Sequence, residues 1–159
     1  MIRIKDQIAD KENNILDAKG LRFGIVLSEF NYNITSNLFK GAQSILLNAG
    51  VKKEDIVVHK VPGAFELIFG SKVMAKNNVD AIICIGSVIE GETKHFDYIC
   101  QSVSFGIKDL NILLDIPVIF GVLTDHTLQQ AEDRSGGKYG NKGSEAAVTA
   151  IEMAKLARI

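Results

Sequence analysis

The stretch Ala81–Asp97, AIICIGSVIEGETKHFD, changes character along its length. It opens as a nearly continuous apolar run, which is typical of a parallel strand that is buried on both faces. The run breaks at glycine and becomes a polar segment that ends in Thr93, His95 and Asp97. Beyond it, apolar residues recur every three or four positions, as on a helix, at Ile99, Val103, Ile107 and Leu110. We therefore expect a buried strand, a polar loop and a helix start, and ligands bind at such strand ends in open α/β sheets.

The same alternation of strand and helix extends along the chain. Besides the run at Ala81, strand patterns are predicted at residues 21–28, 55–61 and 118–123. Helical patterns are predicted at residues 34–49, 64–77, about 95–115, 128–133 and 144–157, with Thr124 and Asp125 capping the fourth helix. Short links between alternating elements favour a parallel sheet with right-handed crossovers. We predict a single domain over residues 1–159, a flavodoxin-like three-layer α/β sandwich with a four-stranded parallel sheet between helices, and residues 1–20 as an N-terminal arm or edge strand.

Composition excludes several classes of function. The chain has 159 residues, enough for one domain with a sizeable core, and a formal charge of −1. This balance gives no electrostatic case for binding nucleic acid. No apolar run approaches the roughly 20 residues that cross a bilayer. Residues 1–7 lack the apolar core of a signal peptide, so we expect a cytoplasmic protein without a membrane partner.

Cysteine usage and glycine motifs exclude further chemistry. Cys84 and Cys100 lie in a predicted strand and helix and form no CxxC pair, so we expect buried reduced thiols and no metal site. The glycine-rich segment 135–143 does not match the phosphate-binding P-loop, because Lys142 is followed by Gly143. The chain also lacks the dinucleotide-binding GxGxxG after its first strand and the GxSxG nucleophile turn.

Polar and aromatic residues follow all four predicted strands, whose carboxyl ends share one edge of the sheet. In chain order they are Phe30 and Asn31, then Ala64, Phe65 and Glu66, then residues 90–95, then residues 124–126. Phenylalanine beside polar groups in a loop favours a flat, hydrogen-bonding ligand, with core packing as the alternative for both rings.

Four residues are candidates for catalysis or anion binding. His95 is the first candidate for a general acid or base and His126 the second, with a capping or packing role as the alternative. Thr93 at a helix start and Arg134 could hold a phosphate group. A surface ion pair is the other interpretation of Arg134, which follows two acidic residues.

An ordered set of motifs from about residue 20 onward resembles the lumazine synthase family, whose members act in riboflavin biosynthesis. The matching segments are Phe30-Asn31, residues 61–66 (VPGAFE), 86–89 (GSVI), 91–97 (GETKHFD), 118–124 (VIFGVLT), 133–136 (DRSG) and 140–143 (GNKG). The resemblance implies a transferase that condenses 5-amino-6-(D-ribitylamino)uracil with 3,4-dihydroxy-2-butanone 4-phosphate and releases phosphate and water. It implies no metal and no cofactor, because the attacking amine belongs to the substrate.

The resemblance also implies roles for individual residues. It gives the catalytic roles to His95, which transfers protons, and to Arg134, which holds the phosphate with Glu92 and Thr93. The pyrimidine ring would stack on Phe30. Backbone groups of Val88 and Ile89 would form hydrogen bonds with the edge of the pyrimidine. The ribityl and ring contacts would come from Asn31, Ala64, Phe65 and Glu66. Phe120 and Lys142 match positions that the neighbouring subunit supplies.

The family further implies a homopentamer with active sites between subunits, an icosahedral capsid in some members, and association with riboflavin synthase. The connection at residues 136–143 is short, which favours the capsid. A shell-forming or flavin- or pteridine-binding protein without turnover is the alternative function. The chain departs from the usual family pattern at Glu90, where many members have Arg, at Asp125-His126 and at Ser135.

Overall fold

The computed structural model describes residues 16–159, so the predicted arm lies largely outside the described residues. The main strands are β1 (Phe23–Ser28), β2 (Ile56–Val61), β3 (Ala81–Ile89) and β4 (Val118–Asp125). The helices are α1 (Tyr32–Asn48), α2 (Leu67–Met74), α3 (His95–Leu113), α4 (Leu128–Arg134) and α5 (Lys142–Leu156). A short hairpin, β5 (Ser135–Gly137) and β6 (Gly140–Asn141), joins α4 to α5. Two 3₁₀ turns lie at Lys53–Asp55 and Ala75–Asn77.

The main strands form one sheet in the order β2-β1-β3-β4, and every pairing is parallel. The two central strands are buried on both faces: all of β1 is buried, as are the first seven residues of β3. Continuous apolar sequences such as these are what a covered parallel sheet requires. The predicted flavodoxin-like architecture is confirmed.

Helices cover both faces of the sheet. Helices α1 and α5 pack on one face and on each other, while α2 and α3 cover the opposite face. The contact between α1 and α5 depends on Gly143, because a Cβ there would lie 1.9 Å from the carbonyl oxygen of Leu38. Among the described residues, no helix is both long and apolar enough to cross a membrane.

Four local expectations differ from the structure. Helix α2 begins at Leu67 rather than Ala64, because the N–H of Leu67 donates to the carbonyl of Ala64 and closes a turn first. Strand β4 continues to Asp125, so neither Thr124 nor Asp125 caps α4. That cap is Thr127, whose hydroxyl accepts from the N–H of Gln130. The glycine-rich segment contains the β5–β6 hairpin, and α5 begins at Lys142.

Candidate functional site

We use the word crevice for the region outside the carboxyl ends of β1 and β3, which lie side by side in the sheet. The chain leaves β1 through α1 on one face and leaves β3 through α3 on the other, so the connections diverge at this point. Ligands in open α/β sheets bind outside the strand ends at such a switch in direction. The stretch Ala81–Asp97 forms one side of this crevice.

Asn31 joins the two strands across the crevice. Its backbone is left-handed, with φ 55° and ψ 47°, and its carbonyl accepts the first amides of α1, from Ile34 and Thr35. Its side-chain amide donates to the carbonyl of Ser87 in β3 at 2.9 Å. Asparagine tolerates the left-handed region better than most residues, so one side chain sets both the turn and the bridge.

Phe30 presents its ring at the start of the crevice. Its N–H donates to the carbonyl of Pro62 at 2.9 Å, which holds the loop after β1 against the loop after β2. A Cβ on Gly63 would lie 2.8 Å from the Phe30 ring and 3.0 Å from Oε2 of Glu66, so the glycine lets the ring and the carboxylate approach each other. The side chains of Phe30 and Phe65 are 68% and 51% exposed, and Ala64 is buried. Both rings are therefore available to a ligand.

The loop after β3 carries the next group of predicted site residues. Val88 and Ile89 are half-buried and pair with Thr124 and Asp125 of β4. The hydroxyl of Thr93 accepts from the N–H of His95 at 3.4 Å, just before the first turn of α3. The side chains of Glu92, Thr93 and His95 are all exposed. Together they give a polar loop and the open amides of a helix start, which suits an anion.

Arg134 lies beside the end of the fourth strand. Its Nη1 donates to the carbonyl of Gln130 at 3.3 Å and lies 3.8 Å from Oδ1 of Asp125. Its guanidinium carbon lies 5.3 Å from the centre of the Tyr139 ring. Burial raises the pKa of Asp125, and the positive charges of Arg134 and His126 oppose that rise. Nη1 therefore holds the guanidinium beside Gln130 and Asp125, while the side chain stays partly exposed.

The sequence did not reveal a contact between Glu90 and His126. Nδ1 of His126 lies 2.5 Å from Oε2 of Glu90, and the N–H of Glu90 donates to the carbonyl of Asp125 at 2.9 Å. The His126 ring also lies 5.8 Å from the Phe96 ring. The sequence held one indication of this contact, because the acid Glu90 and the base His126 directly follow two strands that are neighbours in this architecture. The second histidine candidate is thus paired with Glu90.

Phe120 and Lys142 do not join the crevice residues. Phe120 lies on the edge strand β4, paired with Cys84, and is 37% exposed. It precedes the end of β4 at Asp125 by about 16 Å at roughly 3.3 Å per residue. Lys142 begins α5, and its ammonium group bonds to Glu145 at 2.8 Å. Neither contact places these residues beside the crevice, so their part in a site stays a prediction.

Thiol and metal chemistry have little basis in residues 16–159. Burial raises the pKa of Cys84 to about 12, against an opposing hydrogen bond from Ser71. Partial burial and the charge of Asp97 raise the pKa of Cys100. A neutral thiol is a poor nucleophile. Within this range, no cluster of three or more His, Cys, Asp or Glu side chains could hold a metal ion.

Comparison with known proteins shows which family this chain is similar to. A sequence profile described as 6,7-dimethyl-8-ribityllumazine synthase matches residues 20–158. A protein of that name from Christiangramia forsetii is 56% identical over 147 residues, covering 91% of this chain and 88% of the relative. Another from Flavobacterium johnsoniae is 57% identical and covers 91% of this chain and 77% of its own. A third, from Parabacteroides distasonis, is 55% identical and covers 89% of each chain.

Proposed function

The chain belongs to the 6,7-dimethyl-8-ribityllumazine synthase family, and we propose that the crevice between β1 and β3 is its part of the active site. The protein is a transferase of riboflavin biosynthesis. It condenses 5-amino-6-(D-ribitylamino)uracil with 3,4-dihydroxy-2-butanone 4-phosphate and releases phosphate and water. No observation favours a shell or binding protein without turnover.

The observation that carries the proposed site is the exposed Phe30 ring beside Glu66 at the point where the sheet connections diverge. A flat pyrimidine stacks on the ring, and the backbone groups of Val88 and Ile89 bond to its edge. Glu66 accepts hydrogen bonds from ribityl hydroxyls. Asn31 already uses its amide N–H to hold β3, so its free side-chain oxygen is the group that reaches the substrate.

The phosphate group of the second substrate binds at the opposite end of the crevice. Thr93 offers its hydroxyl, and the loop around Glu92 offers backbone N–H groups near the positive end of α3. Arg134 adds a planar pair of donors that matches phosphate oxygens. Phosphate competes with Asp125 for this guanidinium, and the loose 3.8 Å separation in the free chain leaves the arginine able to turn.

His95 transfers protons between these two ends. The amine of the uracil attacks the ketone and loses water to form an imine, phosphate is eliminated, and ring closure releases a second water. The chain's residues hold the two substrates together, which can lower a barrier by up to about 7–11 kcal/mol in favourable cases. Proton transfer by one side chain typically contributes about 10²–10⁴-fold.

A neighbouring subunit supplies Phe120 and Lys142 in the proposed assembly. Phe120 lies too far from the crevice of its own chain, and it is partly exposed on an edge strand. Four large apolar side chains on α3 are also exposed in the single chain: Tyr98, Phe105, Ile112 and Leu113. Such a surface is typical of a subunit interface. We infer a homopentamer, and propose from the family its association into an icosahedral capsid with riboflavin synthase, in the cytoplasm.

Mixing two inactive variants tests the shared site. Phe30→Ala damages the crevice of its own chain, and Phe120→Ala damages that of its neighbour, so neither alone should be active. After equal amounts are dissociated and reassembled together, about one quarter of the sites should contain both wild-type residues. Activity should return to about that level. No recovery in assemblies that are shown to be mixed would contradict a site between subunits.

Arg134→Ala tests the phosphate end. Loss of a charged hydrogen-bond partner costs about 1.5–3 kcal/mol, so the KM for the butanone phosphate should rise by about 10- to 150-fold. The KM for the uracil should change little. Arg158→Ala, which breaks an ion pair with Asp80 at the opposite edge of the sheet, is a matched control. Wild-type kinetics in Arg134→Ala would assign the arginine a surface role.

A further inference from the structure

We propose that Glu90 and His126 are positioning residues for the phosphate-bearing substrate, an inference that rests on the proposed function. The two groups proposed to bind the phosphate belong to different parts of the chain. Thr93 lies on the loop between β3 and α3, whereas Arg134 ends α4. Their relative position must be set by whatever joins these two segments. The β3–β4 ladder joins them as far as Ile89 and Asp125, and the Glu90–His126 pair adds a side-chain contact directly beyond it.

The pair is part of a closed series of contacts. His126 reaches Glu90 through its ring, and its backbone N–H donates to Oε1 of Gln130 at 2.9 Å. The carbonyl of Gln130 accepts from Arg134, whose guanidinium lies beside Asp125. The carbonyl of Asp125 then accepts from the N–H of Glu90. The start of the phosphate loop is therefore connected to Arg134 by two routes.

The pair also explains how this chain tolerates an acid so close to a phosphate site. A free carboxylate at position 90, two residues before Glu92, would repel the dianionic substrate. The Nδ1–H of His126 bonds to the carboxylate and fixes it towards β4. Two of the three departures from the usual family sequence, Glu90 and Asp125-His126, thus belong to one structural unit.

The exposure of the Glu90 and His126 side chains distinguishes the positioning role from a purely structural one. The side chains of His126 and Glu90 are 68% and 45% exposed, and exposed pairs contribute little to overall stability. Removing either partner should leave the melting temperature nearly unchanged. Its effect should appear in the binding of the phosphate-bearing substrate.

Four variants and a control test the inference. In Glu90→Ala the KM for the butanone phosphate should rise about two- to fivefold. The increase is small because an exposed ion pair contributes little free energy. His126→Ala should raise it further, because Glu90 remains charged and free. The double variant should return to the level of Glu90→Ala, and Glu90→Gln, which keeps the hydrogen bond, should match the wild type. In all four variants the kcat and the KM for the uracil should stay within about twofold of the wild-type values. The control Arg158→Ala should also keep both values within this range.

Calorimetric titration of each variant with inorganic phosphate gives a readout that does not require turnover. Weaker phosphate binding in His126→Ala than in Glu90→Ala supports the inference even if the wild type fails to form lumazine, an outcome that would refute the proposed function alone. Unchanged phosphate affinity and unchanged KM in both single variants would overturn the positioning role. Equal increases in both KM values together with a lower melting temperature would also overturn it, because that result describes a structural contact.

Discussion

Replacing Asn31 should separate two contributions that this residue makes at the crevice. Asn31→Ala places an alanine in the left-handed region, which costs about 1 kcal/mol, and removes the bond to the carbonyl of Ser87, worth about another 1 kcal/mol. Asn31→Gly removes the bond but relieves the backbone cost. The expected losses of unfolding free energy are therefore about 2 and 1 kcal/mol.

Thermal unfolding at one fixed protein concentration measures this difference, since assembly would otherwise shift the result. At about 2–4 °C per kcal/mol for a chain of this size, Asn31→Ala should lower the melting temperature by about 4–8 °C and Asn31→Gly by about 2–4 °C. Both variants should also raise the KM for the uracil, because Phe30 precedes the altered turn. Equal melting temperatures for the two variants would refute the backbone argument. A wild-type value for Asn31→Gly would refute the role of the hydrogen bond to β3.

Three further predictions concern titratable groups. His95→Ala should lower kcat by about 10²-fold without abolishing turnover, because the two substrates are still held together. If His126→Ala were inactive and His95→Ala fully active, the two histidines would have the opposite roles. Burial raises the pKa of Asp125 above its ordinary value of 3.8, so wild-type stability should fall as the pH rises from about 4 through the raised pKa. Asp125→Asn lacks that titration, and its melting temperature relative to wild type should increase over this interval; parallel curves would contradict the shift. Cys84 should resist alkylation by iodoacetamide at pH 8 in the folded protein, and rapid labelling there, read by mass spectrometry, would mean that β3 is not buried as described.

The strand pattern could be predicted from the sequence because burial on both faces leaves a continuous apolar signal. The runs at Phe23–Ser28 and Ala81–Ile89 have this form, and they are the central strands. Helix ends were less accurate, since they depend on single hydrogen bonds. Thr127 rather than Thr124 caps α4 because β4 continues two residues beyond its apolar segment, and no periodicity shows where a ladder of hydrogen bonds stops.

The candidate site was predictable in its position but not in its contacts. Polar residues after parallel strands must share an edge, so the crevice follows from strand order. Pairing across that edge depends on side-chain direction. Glu90 and His126 are distant in sequence, and only the parallel register of β3 and β4 places them side by side. The partial exposure of Phe120 also depends on strand order, because β4 is an edge strand.

The formation of lumazine by the purified protein is the most direct test of this account. The product's absorbance and fluorescence should be followed in mixtures of the two substrates with and without the assembled protein. We predict a rate well above the uncatalysed one, with one phosphate released per lumazine formed, and a dependence on the assembled state. A rate equal to that of the substrates alone, with a correctly assembled protein, would contradict it.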